Sequence, residues 1–226
     1  MQEFTARKRR ATTEPSLAEI KRMVSEKWPE TLLVESDRQR MMFAAGIESF
    51  DRLFPSGGIP YGQLVEITGD LSGGKTGLLF RLLAGIVSRT RAAYVDIGNS
   101  FFPGAASAGG VDLDRLIVVK PKQMQAAMRT TELLLQHKMV GCVVVDLVGQ
   151  SGVLPIAWCH RLRTRTVRAR GLVIFMTENN SQVIPPSMIS LRLEVRRARA
   201  NSVIVTVTKS RVSPEGARAE VVLYGT

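Results

Sequence analysis

The chain has 226 residues, 45% of them hydrophobic, which suits one mid-sized globular domain with a sizeable core. Thirty-one Lys and Arg against 20 Asp and Glu leave a formal charge of +11, an excess that favours polyanionic partners: nucleic acid or an acidic protein surface. No apolar run approaches the ~20 residues that span a bilayer, and no apolar signal segment follows the charged start. Cys142, Cys159, His137 and His160 have no metal-like spacing. A membrane protein and a Cys/His zinc protein are therefore not expected; the default location is the cytoplasm, and both cysteines read as buried thiols.

In chain order, residues 1–15 are polar, basic (Arg7 to Arg10) and Thr-rich, with too little apolar content to fold alone. Ser16 and Glu19 make a capping box, and Leu17, Ile20, Val24 and Trp28 recur at helical spacing until Pro29 stops the helix. Such a short amphipathic helix either packs on its own domain or docks on a neighbouring subunit or partner, and the pattern leaves both open. Residues 1–42 thus read as a basic tail plus an N-terminal helix, and residues 43–226 as the core domain.

The next signal is the strongest. Gln63 to Thr68 reads as a strand, Thr76 to Thr90 as an amphipathic or buried helix, and between them lies Gly69-Asp70-Leu71-Ser72-Gly73-Gly74-Lys75-Thr76, a complete G-x-x-x-x-G-K-[ST] phosphate loop. Small residues let successive backbone N–H groups converge on phosphate oxygens, and the helix opening near Lys75 adds its positive dipole end. Lys75 is then placed for the β- and γ-phosphates, and the Thr76 hydroxyl for Mg²⁺. The motif predicts a nucleoside triphosphate site.

Beyond it, short apolar runs at Ala92 to Asp96, Leu116 to Val119, Cys142 to Val148 and Leu172 to Met176 alternate with helix candidates at Gln123 to Lys138 and Leu154 to Arg170. That alternation predicts a parallel sheet with crossover helices. Asp146 ends the run Val143-Val144-Val145 and is the natural metal-side partner of the phosphate loop. In the last third, Leu191, Leu193 and Val195 alternate with Arg192, Glu194 and Arg196, and runs at Ser202 to Thr208 and Ala219 to Leu223 follow; these read as antiparallel strands added to the parallel sheet. Arg161, Arg165 and Arg168 share one helical face, and Arg196 and Arg197 form a second basic group. Each is either a solvated face, a phosphate-binding surface or a docking face for an acidic protein.

Residues 46–86, 92–121, 143–149, 171–180 and 190–211 together resemble the core of the RecA recombinases, so the resemblance covers about 43–225. It implies an α/β fold: a RecA-like P-loop core with a mainly parallel central sheet flanked by helices, antiparallel strands near the C-terminus and a short N-terminal helix. It also implies ATP on Gly69 to Thr76 and Mg²⁺ between Thr76 and Asp146.

Departures from the family pattern bear on activity. The position matching the glutamate that activates water is Gly98, and glycine cannot act as a base. Asp96 and Glu178 are the nearby candidates, Glu178 standing where the family has a glutamine that senses the γ-phosphate. Phe102 and Ala105 stand where the family contacts adenine. The intervals matching its two DNA-gripping loops, GQSGVLP and NNSQVIPPS, are short and lack basic residues. The chain ends soon after Tyr224, where the family continues into a further domain.

A shortened core with a damaged ATP site resembles most the ImuA family, RecA-like accessory proteins of SOS-induced translesion synthesis. That resemblance implies RecA and an ImuB-like homologue of the Y-family polymerases as partners, DNA contact through basic surfaces, and a bacterial cytoplasmic, nucleoid-associated location. The alternatives are a DNA-dependent ATPase with slow recombinase-like or remodelling activity, and a division inhibitor similar to SulA.

Overall fold

A computed structural model describes residues 42–223, together with Ser16, Glu19, Arg22, Met23 and Glu26. The chain divides into two units, Met1–Arg40 and Met41–Thr226. In the first, Glu19, Arg22, Met23 and Glu26 are helical. The Ser16 N–H donates to Glu19 Oε2 at 2.8 Å and the Glu19 N–H to Ser16 Oγ at 3.3 Å, which is the expected capping box. Leu17, Ile20, Val24 and Trp28, and the basic tail before them, lie outside the described residues.

The second unit is built on one eight-stranded sheet. Its strands are β3 (Gln63–Gly69), β4 (Ala92–Asp96), β5 (Leu116–Val119), β6 (Cys142–Asp146), β7 (Leu172–Met176), β8 (Leu191–Arg199), β9 (Ser202–Ser210) and β10 (Arg218–Val222). A separate antiparallel pair, β1 (Met42–Phe43) and β2 (Ile59–Pro60), precedes it. The order across the large sheet is β10-β9-β8-β3-β7-β6-β4-β5. The six strands from β8 to β5 are parallel, and β9 and β10 are antiparallel additions. Strands β3, β4, β6 and β7 are buried over almost their whole length, which is why each reads as an unbroken apolar run.

Strand β8 departs from the sequence reading. Its alternating pattern suggested antiparallel pairing, yet Val65 to Gly69 run parallel to Leu191 to Val195, and only the far edge of β8 pairs antiparallel, with β9. Alternation reports that one face of a strand is less buried; it carries no information about the direction of a neighbour.

The helices are α1 (Glu48–Asp51), α2 (Lys75–Val87), α3 (Pro103–Ala108), α4 (Met124–Gln136) and α5 (Ile156–Ala169), each long helix within three residues of its expected ends. Phe50, Leu53, Phe54 and the apolar face of α2 cover one side of the sheet, against Val65, Ile67, Val203, Val205 and Val221. On the other side α4 and α5 bury Leu134, Leu135, Trp158 and Leu162 against Val143, Val145, Val173 and Phe175. Helix α2 lies close to the chain after β1 because residue 85 is glycine: a Cβ there would meet the Ala45 carbonyl oxygen at 2.0 Å. Cys142 and Cys159 are free and buried, as expected. Among the described residues, no helix is long and apolar enough to cross a membrane.

Candidate functional site

The parallel strands β3, β7, β6 and β4 are neighbours and end at the same edge, so their C-terminal loops converge where ligands of open α/β sheets bind. The phosphate loop leaves β3 at this edge. Gly74 has φ 89°, a left-handed conformation, and a Cβ there would meet Val203 Cγ1 at 2.5 Å, so both backbone and space require glycine. At Gly69 and Gly73 a Cβ would meet the Val195 carbonyl oxygen at 2.3 and 3.2 Å, which shows how closely β8 backs the loop. The N–H groups opening α2 have no carbonyl of their own helix to bond, and so supply the donors that phosphate oxygens need.

Lys75 is 4% exposed, and its ammonium donates to the carbonyls of Gly69 at 2.7 Å and Asp70 at 3.0 Å. Burial pushes it below the ordinary lysine value, against the opposing pull of Glu178, Asp146 and Asp70. Thr76, Leu71 and Ser72 are exposed at the tip of the loop. Asp70 Oδ1 accepts from Asn179 Nδ2 at 2.7 Å, which ties the loop to the segment after β7. Behind the loop, Arg197 donates to the Ser72 carbonyl at 3.4 Å and to the Ala200 carbonyl at 3.2 Å.

Asp96 and Asp146 are opposite each other at the ends of β4 and β6, 1% and 6% exposed. Asp146 Oδ2 accepts from the Tyr94 hydroxyl at 2.7 Å and the Ser100 hydroxyl at 2.8 Å, and Oδ1 from the Val148 N–H at 3.1 Å. Burial, reinforced by Asp146, pushes the Tyr94 phenol far above its usual value and so keeps it a donor. Asp96 accepts from the N–H groups of Ser100 at 2.8 Å and Phe101 at 3.0 Å. Both oxygens of Asp96 thus hold the turn after β4, which is a positioning role and poorly suited to a base that must reach water. Gly98 is exposed, and the nearest atom to a Cβ there is the Val148 carbonyl oxygen at 3.8 Å.

Glu178, the other candidate base, lies just past β7. Its carbonyl accepts from the Thr68 hydroxyl at 2.8 Å and its Oε1 from the Gly149 N–H at 3.1 Å. The loops after β6 and β7 are bridged by a Leu154 N–H to Val183 carbonyl bond of 2.7 Å. They enclose a polar pocket of about 460 Å³ whose lining includes Gln150, Ser151, Glu178, Asn180 and Gln182 and no basic residue.

The basic groups named from the sequence stand elsewhere. On α5, Arg161 and Arg165 face Glu132 of α4, at 3.3 and 4.0 Å, and Arg165 also bonds Gln136, while Arg168 is exposed. Two of that row of three are therefore engaged within the domain. Arg196 pairs with Glu194 at 2.7 Å on β8, and Arg197 turns to the phosphate loop. Sequence reasoning missed Tyr94, Ser100 and Asn179. The available signal was a tyrosine within an otherwise aliphatic strand, two residues before Asp96; for Ser100 and Asn179 there was none.

The RecA N-terminal domain family matches residues 13–155, more than half of the chain. The chain belongs to the RecA family. Its relatives include Protein RecA of Lactobacillus delbrueckii subsp. bulgaricus, 28% identical over 232 residues that cover 84% of this chain and 70% of that protein. Protein RecA of Lactobacillus acidophilus is 27% identical over 84% of this chain and 64% of its own length. Protein RecA of Listeria monocytogenes is 24% identical over 96% of this chain and 75% of its own length. Among solved structures, the RadB recombinase superposes with a TM-score of 0.65 at 21% identity, over 79% of this chain and 94% of that one, a likeness of fold. The RecA family match begins at residue 13, before the 43 at which the sequence resemblance was drawn.

Proposed function

We propose that this chain is a RecA-like accessory protein of SOS-induced mutagenic DNA repair, of the ImuA kind, with a degenerate ATP site. The observation that supports the reading is the make-up of the site: Lys75, Thr76 and the loop glycines suit a phosphate chain, and residue 98 has no side chain to activate water. Thr76, with Asp146 behind it, would hold Mg²⁺. ATP and Mg²⁺ would supply a charged, shape-fixing ligand to the loop.

Residue 98 carries no side chain, Asp96 is engaged by backbone donors, and Glu178 is bonded to Gly149. Slow hydrolysis follows from that set. The uncharged lining of the pocket between the loops after β6 and β7, Glu178 apart, offers a DNA backbone no counter-charge, which argues against filament-style DNA pairing at that edge. The protein therefore acts through protein contacts. A RecA-shaped surface, with the N-terminal segment whose sequence pattern reads as an amphipathic helix, occupies an interface that a RecA protomer would use, and an ImuB-like polymerase homologue is the second partner. Of the arginines named from the sequence, exposed Arg168 is left for DNA or an acidic protein surface, Arg196 being paired with Glu194, and the working place is the bacterial nucleoid.

Binding to purified RecA and inhibition of RecA-driven strand exchange at near-stoichiometric amounts test the reading; neither effect at those amounts rejects it. A second reading, a slow DNA-dependent ATPase, draws on the complete Lys75, Thr76 and Asp146 set. ATP turnover stimulated by single-stranded DNA and abolished by Lys75→Ala would favour it instead.

A further inference from the structure

The acidic groups that gather round the phosphate loop bear on which phosphate chain it accepts. Residue 178 is fixed beside the loop by three bonds: the Thr177 N–H to the Ile67 carbonyl at 3.0 Å, the Thr68 hydroxyl to the Glu178 carbonyl at 2.8 Å, and Asn179 Nδ2 to Asp70 at 2.7 Å. Its carboxylate is anchored in turn by the Gly149 N–H at 3.1 Å, so it stays over the edge where β3, β6 and β7 end. Glu178, Asp146 and Asp70 all oppose the effect of burial on the Lys75 ammonium. Lys75 makes its own hydrogen bonds to the Gly69 and Asp70 carbonyls, so Glu178 is not neutralised by a direct pair with it.

Lysine at this motif position receives the terminal phosphates of a bound nucleotide, and residue 178, bonded to Thr68 at the mouth of the loop and to Gly149 after β6, stands at the same edge. Four carboxylates, Asp70, Asp96, Asp146 and Glu178, stand at this edge with two cations, Lys75 and the Arg197 guanidinium at Ser72, so the edge is net negative before any ligand arrives. A magnesium-bound triphosphate carries one more negative charge than a magnesium-bound diphosphate, and it places that charge at the lysine end of the cradle. At the separations of such a site, like charges repel strongly enough to decide affinity.

We infer, resting on the nucleotide-site reading above, that Glu178 makes this phosphate loop select a nucleoside diphosphate over the corresponding triphosphate. Glutamine keeps the shape of the side chain and the oxygen that accepts from Gly149, and removes the charge alone, so Glu178→Gln isolates the effect.

The experiment is equilibrium binding of Mg-ADP and of the Mg complex of a non-hydrolysable ATP analogue to the full chain, for wild type, Glu178→Gln and Lys75→Ala, at low and high salt. The expected result is at least tenfold tighter binding of the diphosphate by wild type, a preference that shrinks as salt rises. Glu178→Gln should bind the triphosphate analogue at least tenfold more tightly than wild type, with diphosphate affinity within threefold, and Lys75→Ala should weaken both. Equal affinities in wild type, or an unchanged ratio in a Glu178→Gln protein with the wild-type melting midpoint, overturn the inference and leave the nucleotide site standing. Failure of wild type to bind either ligand overturns both. The wild-type ratio alone decides the matter if the variant does not fold.

Discussion

Arg192→Met should destabilise the core domain by about 2–3 kcal/mol, because it strands a carboxylate. Glu66 is 2% exposed in the central strand β3, where its Oε2 accepts from Arg192 Nε at 2.6 Å and its Oε1 from the Thr177 hydroxyl at 2.9 Å. Breaking a buried pair by removing one partner costs about 3–5 kcal/mol. The Arg192 side chain is 27% exposed, so water reaches the vacated side of Glu66 and the expected loss lies below that range. For a chain of this size it corresponds to a fall of roughly 5–10 °C in melting temperature. Methionine preserves most of the stem's packing, which leaves charge as the main variable. In the double variant Glu66→Gln/Arg192→Met the glutamine still accepts from Thr177 and carries no charge, so most of the lost stability should return. Urea unfolding at neutral pH of wild type, both single variants and the double variant gives the coupling energy, expected to exceed about 1 kcal/mol. Additive single effects, or an Arg192→Met protein within about 0.5 kcal/mol of wild type, would refute the claim that Arg192 neutralises a desolvated Glu66.

Three further outcomes are expected. Gly98→Glu should raise ATP turnover at least tenfold, because the position is exposed and the nearest atom to a Cβ is 3.8 Å away; unchanged phosphate release would mean that a base at residue 98 is not what turnover lacks. Gly85→Ala should lower stability by about 2 kcal/mol or more despite the better helix propensity of alanine, since its methyl would lie 2.0 Å from the Ala45 carbonyl oxygen; a melting temperature at or above wild type would show that α2 and the chain after β1 do not pack this way. Burial pushes the Cys159 thiol up to about 11 from 9.0, so the unfolded chain ionises first. The Cys159 contribution is full below pH 9 and is lost as pH rises towards 11, by on the order of 2 kcal/mol; Cys142, raised by burial too, loses in the same direction, so Cys159→Ala should lessen the fall of the urea midpoint between pH 8 and 10.5 without abolishing it.

The phosphate loop could be read from the chain because everything that makes it work is contiguous. Glycines that free the backbone, a lysine and a threonine at fixed offsets, an apolar strand before and a helix after all lie between Gln63 and Val87. The buried parallel strands were legible for a related reason: a strand covered on both faces has no polar face to show, and Ala92 to Asp96 and Leu172 to Met176 have none beyond the terminal aspartate. Gly98 was informative for what it lacks, which is a property of one residue.

What the sequence by itself determined, then, is the set of elements and the chemistry held within a single loop. Only the tertiary structure decided the rest: that β8 runs parallel to β3, that Arg192 reaches across to Glu66, that Tyr94 and Ser100 bond Asp146, and that Glu178 bonds Thr68 and Gly149. Each of these joins residues on different elements. The reason is that a strand's own pattern reports how deeply its faces are buried, whereas which strand lies beside it, and in which direction, follows from how the crossover helices pack the whole sheet.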